Sequence, residues 1–330
     1  MREFDYRRAH DVQHALTLLA ADPDARFLGG GTNLVDLMKT GVERPTRLVD
    51  VRELPLDGIE PTPGGGLRIG ATVTNSDLAA HPEIRRHHPA LAQAVLAGAS
   101  GQLRNMATVG GNLLQRTRCG YFTDVSRACN KRVPGSGCPA VTGEHHQHAV
   151  LGASDHCVAV HPSDMGVALT ALDAVVAYET GEGPGEQPIT DFYLPVGDTP
   201  HRETALPPGA LITHVTLPPP PAGARSRYRK VRERASYAFA LGSVAARLTV
   251  EDGRVAEARL ALGAVASRPW RAHAAEAVLT GAPADGATFA AAADAELAAA
   301  RPLPRNGYKV PLMRNLVVSV LTELAEEATR

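Results

Sequence analysis

The chain carries four cysteines, Cys119, Cys129, Cys138 and Cys157, all inside one short stretch of its 330 residues. Random placement would confine four cysteines this tightly on the order of one time in a hundred, so the grouping asks for a shared cause such as a common ligand. Nine, eight and eighteen residues separate successive cysteines. No CxxC pair is present, which sets the stretch apart from zinc ribbons and thioredoxin-like redox motifs. A site here has to be assembled from a long loop. Four thiolates can hold a 4Fe-4S cluster, one to each iron, without tight spacing. Zinc accepts the same donors, and disulfides or buried free thiols are further readings of the spacing alone. Arg116, Arg118, Arg127, Lys131 and Arg132 crowd the stretch, where they would lower thiolate pKa and offset the charge of a metal centre. His145, His146 and His148 lie between two of the cysteines and read as polar loop residues before they read as ligands.

A second chemical signal is FLGGGTNLVDLMKTG, in which Gly29, Gly30 and Gly31 precede Thr32 and Asn33. Consecutive glycines permit positive φ and close backbone approach, and a following helix points free N–H groups at an anion. The pattern is neither GxGxxG nor GxxxxGK[ST], so neither a Rossmann site nor a P-loop is indicated. Further on, GASGQLRNMATVGGN closes with Gly110, Gly111 and Asn112, and His161-Pro162-Ser163-Asp164 follows the last cysteine.

The elements that must position these residues follow from pattern. Asp11 is placed to cap a helix over 12–21 with Ala15, Leu16, Leu18 and Leu19 as its apolar stripe. A strand over 25–28, the glycine loop, a short helix over 35–39 and a strand over 47–51 make a small βαβ-like unit, bordered by Pro61-Thr62-Pro63 and the glycines at 64–66. A strand over 67–72, helices from Ser76 and over 90–99, a helix over 163–172 and a strand over 174–178 form a second unit. The tetraproline run at 218–221 is a stiff connector. Beyond it, alternating runs at 240–251 and 254–264 around Asp252-Gly253 predict a β-hairpin. Helices over 272–279, 288–299 and 311–328 complete the chain.

Composition narrows the function class. With 44% hydrophobic residues and a net charge of −1, the chain can bury sizeable cores and lacks the basic stripe that nucleic-acid binding requires. No apolar run approaches a membrane span, and MREFDYRRAHDVQ has no signal-peptide core. By its own sequence the chain is expected to be cytoplasmic. No nucleophile–base pair or carboxylate dyad stands out, so no catalytic residue is assigned.

The order GGGTN, TVGGN, HPSD, ALTALDA and YRKVRERASYAFALGSVAARL resembles the FAD-binding subunits of the molybdenum hydroxylases, the xanthine dehydrogenase and aldehyde oxidoreductase family, over essentially the whole chain. The resemblance implies an α+β fold: a two-part FAD-binding domain of the PCMH and xanthine dehydrogenase type at 1–60 and 61–221, then a smaller α+β domain at 222–330. Most of the family passes from the GGN motif to the SD motif within a few residues. Here 113–160 intervenes and holds every cysteine. That insert is similar to one in bacterial three-subunit aldehyde oxidoreductases whose flavin subunit carries a 4Fe-4S cluster, which implies Cys119, Cys129, Cys138 and Cys157 as ligands.

The same resemblance assigns cofactor contacts. Leu28, Gly29, Gly30, Gly31, Thr32, Asn33 and Leu34 would wrap the FAD diphosphate through backbone N–H groups. Thr108, Gly110, Gly111 and Asn112 would line the flavin and ribityl region, with Gln115 adding a polar contact. Asp164 would accept from cofactor hydroxyls or, alternatively, cap the helix it opens. Lys230 would approach the pyrimidine end of the isoalloxazine, and Ile212 would pack on the flavin. No histidine adjoins GGGTN, so FAD is expected to be noncovalent. Aldehyde oxidation would belong to a molybdenum cofactor in a large subunit of a heterotrimer. Electrons would arrive through a small 2Fe-2S subunit and leave to an external acceptor, and export to the periplasm would need a signal-bearing partner. The cluster would be either a relay station or a staple for the insert. Two other readings are an autonomous FAD-dependent oxidoreductase on this fold, its cysteines binding a structural metal, and a zinc-stapled binding protein without FAD.

Overall fold

The computed structural model describes residues 1–328. Strands β1 (Asp5–Arg8), β2 (Arg26–Leu28) and β3 (Arg47–Asp50) form a parallel sheet in the order β1-β3-β2. The helix Val12–Ala20 starts at Asp11, whose carboxylate accepts the His14 N–H at 2.7 Å, and it buries Ala15 and Leu16 among Val49, Val51 and Leu54. Strand β1 escapes the sequence patterns because DYRR offers no apolar alternation. It is held at the sheet edge, where the Tyr6 hydroxyl donates to Asp50.

Strands β4 (Ile59–Pro61), β5 (Leu67–Gly70), β6 (Val175–Thr180), β7 (Gly183–Pro188) and β8 (Leu211–Leu217) form an antiparallel sheet, ordered β4-β5-β8-β6-β7. Its apolar face packs on the helices Pro89–Ala97 and Asp164–Ala171. Strands β9 (Arg225–Val231), β10 (Gly242–Glu251), β11 (Arg254–Gly263) and β12 (Trp270–Arg271) form a third sheet, ordered β12-β11-β10-β9. Its hairpin turn has φ 48° at Asp252 and 72° at Gly253, the left-handed pair that a tight turn between twisted strands requires. The helices His273–Leu279, Gly286–Leu297 and Lys309–Ala328 cover one face of this sheet.

Strand β9 decides where the site residues go. Alternation along it sends Arg227 and Arg229 to Glu323 on the last helix. Tyr228 and Lys230 go to the opposite side, against Asp164.

The cysteine stretch has little regular structure, only the turns Gly120–Thr123 and Pro139–Val141. Side chains hold it instead. Arg132 donates to the carbonyls of Tyr121 (2.8 Å) and Phe122 (2.6 Å), and Asn130 donates to the His156 carbonyl at 2.9 Å and accepts the Gly137 N–H at 2.7 Å. Lys309, fully buried, donates to the carbonyls of Gln147, His148 and Ala264. No described helix is long and apolar enough to cross a membrane.

Candidate cofactor site and cysteine cavity

The three glycines answer first to packing. A Cβ on Gly30 would stand 1.7 Å from the Met106 carbonyl oxygen, and one on Gly29 would stand 2.8 Å from Thr108 Oγ1. Gly31 has φ 73°. The glycine loop is therefore pressed onto 106–108, and this contact brings the GGGTN and TVGGN motifs together. The N–H groups of Gly30, Gly31, Thr32 and Asn33 donate to no backbone carbonyl among the described turns and loops. Those of Gly110 and Gly111 are occupied, by the Ala71 carbonyl at 2.9 Å and Thr108 Oγ1 at 3.2 Å. The first motif can thus cradle an anion through its backbone, while the second forms a wall.

Two chambers meet at this junction. The first, about 480 Å³, is lined by Gly29, Gly30, Gly31 and Leu34 and by an apolar group of Phe27, Val51, Leu56, Leu211 and Ile212. The second, about 250 Å³, is lined by Asn75, Val95, Asn112, Gln115, Asp164 and Lys230. Thr32, Asn33 and Gly111 belong to both. Asn33 Oδ1 accepts the Arg116 N–H at 2.8 Å, while its Nδ2 is buried with no partner. A buried amide without a bond is costly, so an acceptor at the junction fits, as an FAD diphosphate spanning the chambers would.

The remaining expected residues distribute unevenly. Thr108 and Gly110 line the first chamber. Leu28 lines neither chamber, its carbonyl accepting the Val51 N–H at 3.1 Å. Ile212 lines the first chamber and Lys230 the second. Asp164 does not cap its helix: Ser163 Oγ accepts the Gly166 N–H at 2.8 Å. Asp164 is thereby free to bond Lys230 Nζ at 2.7 Å and the Tyr228 hydroxyl at 2.5 Å. The Lys230 side chain is buried, 3% exposed. Burial, reinforced by the Asp164 carboxylate, pushes the Tyr228 phenol well above its ordinary pKa.

The sequence patterns missed Asn75, whose Oδ1 is also buried without a partner in the second chamber, and Tyr228. Alternation with Lys230 would have found Tyr228; nothing local marks Asn75. His201, far from GGGTN in sequence, lines the first chamber.

All four cysteines line one small cavity together with Phe122, Lys131 and Ala140. About 10 Å³ is open between them, room for one water, so a larger inorganic core would enter only if the thiols turned outward. Among the described residues, no three His, Cys, Asp or Glu side chains form a group able to hold a metal ion. The side-chain hydrogen bond between Cys138 and Cys157 lowers the pKa of the Cys138 thiol and, with burial, raises that of Cys157. Burial raises Cys119, and His148 Nε2 lies 3.1 Å from its sulfur.

The basic residues do less for the thiols than their number suggests. Arg116 pairs with Glu43 (2.7 Å) and Glu203 (3.0 Å), and Lys131 with Glu203 (2.7 Å). Arg132 is spent on carbonyls and Arg127 lies beside Asp124. Lys131 also lowers the Cys157 thiol, against the Cys138 bond and burial that raise it. Burial would raise the Glu203 pKa, but Lys131 and Arg116 outweigh it and hold the carboxyl below its ordinary range.

Residues 2–220 match the family model for the FAD binding domain in molybdopterin dehydrogenase, and 226–327 match that for the CO dehydrogenase flavoprotein C-terminal domain. The chain is 53% identical over 329 residues to the aldehyde oxidoreductase FAD-binding subunit PaoB of Escherichia coli (strain K12), covering 99% of this chain and 100% of that one. It is 31% identical over 283 residues to the carbon monoxide dehydrogenase medium chain of Afipia carboxidovorans, covering 84% and 80%. Quinoline 2-oxidoreductase from Pseudomonas putida 86 superposes with a TM-score of 0.78 at 26% identity, covering 100% of this chain and 99% of that one. With the glycine cradle and the paired Asp164 and Lys230 set in that two-domain α+β fold, the chain belongs to the FAD-binding subunits of the molybdenum hydroxylases, components of dehydrogenase and oxidoreductase complexes.

Proposed function

We propose that the chain is the FAD and 4Fe-4S electron-transfer subunit of a molybdenum-containing aldehyde oxidoreductase. The observation that carries the flavin part is the junction of two chambers at Thr32, Asn33 and Gly111, with the unpartnered Asn33 amide inside it. The cradle of Gly30 to Asn33 would hold the diphosphate. Phe27, Val51, Leu211 and Ile212 would enclose the adenine, and Asp164 and Lys230 would border the isoalloxazine, revising the expectation that Ile212 packs on the flavin. Bound FAD supplies the redox chemistry, taking up and giving out electrons singly or in pairs. The protein's own part is to bind, orient and shield it. Lys230 brings a cation to the ring, where it favours the anionic reduced form, while Asp164 fixes that cation in place.

The aldehyde substrate class is supported by the 53% identity to the aldehyde oxidoreductase subunit across its full length; the large molybdenum subunit, the small 2Fe-2S subunit and the external acceptor complete the proposal. The cluster is supported by four thiols on one cavity wall and by the chemistry of an all-cysteine donor set.

An anaerobic visible spectrum of the purified complex, with flavin, iron and zinc quantified, tests both parts. Flavin bands with broad absorbance at about 400 nm and about four irons per chain are expected. Flavin with zinc and no iron would remove the cluster, and neither flavin nor iron after reconstitution would overturn the reading. Aldehyde turnover by the isolated chain would instead favour an autonomous flavoenzyme.

A further inference from the structure

Arg116 stands where the insert begins and touches both regions. We propose that Arg116 is a positioning residue that makes FAD affinity depend on the folded state of the cysteine insert. The inference rests on the proposed FAD and cluster assignments, which name no role for this residue.

The geometry runs in one connected path. The Arg116 N–H holds Asn33 Oδ1 at 2.8 Å, which leaves the other end of that amide, Nδ2, without a partner at the chamber junction. Any residue but proline at 116 would supply that N–H, so the side chain decides whether it stays in place. The guanidinium grips Glu43 through one arm and Glu203 through another, at 2.7 and 3.0 Å. Glu43 closes the helix that follows the glycine loop, its N–H donating to the Leu37 carbonyl at 3.1 Å. On the other side, Glu203 uses its second oxygen on Lys131 Nζ at 2.7 Å. Lys131 is 7% exposed and lines the cysteine cavity. Arg116 also lies over the Phe122 ring, 4.6 Å from its centroid, and Phe122 packs with Leu37 and Cys129.

Every partner of this guanidinium therefore belongs to the cradle, to the insert, or to the bridge between them. Loosening the insert withdraws Lys131 and Phe122 and leaves Glu203 and Arg116 imperfectly paired in a buried site, an arrangement that relaxes by movement. The Asn33 amide then loses its fixed orientation. Linkage requires the converse: bound FAD favours the ordered insert by the same factor.

The test is a thermodynamic cycle on the complete complex, stripped of flavin and titrated with FAD while protein-induced quenching of flavin fluorescence is followed, with iron counted on each sample. Arg116→Met and Cys129→Ser are each expected to raise the FAD Kd about tenfold, and the double variant little further, because both act on one coupling. Arg116→Lys, which keeps the charge but not the planar fork, should restore only part of the affinity. Should Arg116→Met fail to fold, Glu203→Gln keeps the shape and is expected to weaken FAD by about fivefold with iron retained. Unchanged FAD affinity in Arg116→Met or in Glu203→Gln overturns the proposal, as do single effects that multiply in the double variant. An iron-free wild-type complex would sink the cluster assignment alone, and Arg116→Met with unchanged FAD affinity in that complex would still overturn the positioning role.

Discussion

The cofactor cradle takes its shape from backbone. Its loop leaves the end of β2, presses two glycines onto 106–108 and enters a helix, so main-chain packing decides where its N–H groups point. The cysteine insert is built the other way. It has almost no regular structure and is kept in place by Asn130, Arg132 and Lys309 reaching backbone carbonyls and by the acids that pair Arg116 and Lys131. A backbone-built site is formed before its ligand arrives, whereas a loop held by long side chains gains order from whatever it binds. The difference predicts that flavin and the proposed cluster answer differently to substitution, except along the Arg116 coupling.

The largest effect is expected from Gly30→Ala, whose methyl group would meet the Met106 carbonyl at 1.7 Å. The two loops must part, costing about 3 kcal/mol of stability. Flavin content should fall below about a tenth while iron per chain persists, since the thiols are untouched. Equal loss of iron would show that the two regions are not separable in this way. Lys230→Met comes next. It strands Asp164, 11% exposed, with the Tyr228 hydroxyl alone, and breaking a buried pair from one side costs about 3 kcal/mol. Urea unfolding of the purified subunit measures the loss, and an unchanged midpoint would mean that water reaches Asp164.

Acid should weaken the cradle side through His88, which precedes the helix behind the second chamber, is 3% exposed and is held down to about 4 by burial. Its folded pKa lies below the unfolded value, so the unfolded chain takes the proton first as pH falls. Stability from this group is intact above about pH 6.5 and is lost progressively towards the folded pKa, roughly 2 kcal/mol having gone by about pH 5. His88→Gln should flatten that part of the stability profile between pH 7 and 5. The smallest effect is expected from Ser163→Ala, which removes a helix cap of about 1 kcal/mol together with the 2.6 Å bond to Asn112. A slightly lower melting temperature with full flavin content is the expected result; loss of flavin would promote the Ser163–Asn112 bond to a part of the cradle.

Elements with strong local codes were readable from the chain. The Asp11 cap, the Asp252-Gly253 turn and the long C-terminal helix fall within a few residues of expectation. Strand β1 was not readable, because an edge strand of charged residues is defined by its partner rather than by its own pattern. Of the candidate site, the glycine motifs, Asp164 and Lys230 all reach the chambers. The alternative reading of Asp164 as a helix cap gives way to Ser163, because both are good caps and only the fold shows that Asp164 has Lys230 to bond.

Residue order was enough to reveal a clustered thiol set, a close-packed glycine loop and a hairpin-plus-helices C-terminal unit, because each rests on chemistry or turn geometry that is local in the chain. It also carried the family, through motifs spread over its full length. Which motif faces which was left to the fold. That Ile212 and Lys230 occupy separate chambers, that Asn33 keeps a free amide between them, and that Arg116 and Lys131 meet carboxylates on distant segments all depend on contacts between residues far apart in sequence. Such contacts follow from how sheets and helices pack, and no local pattern encodes them.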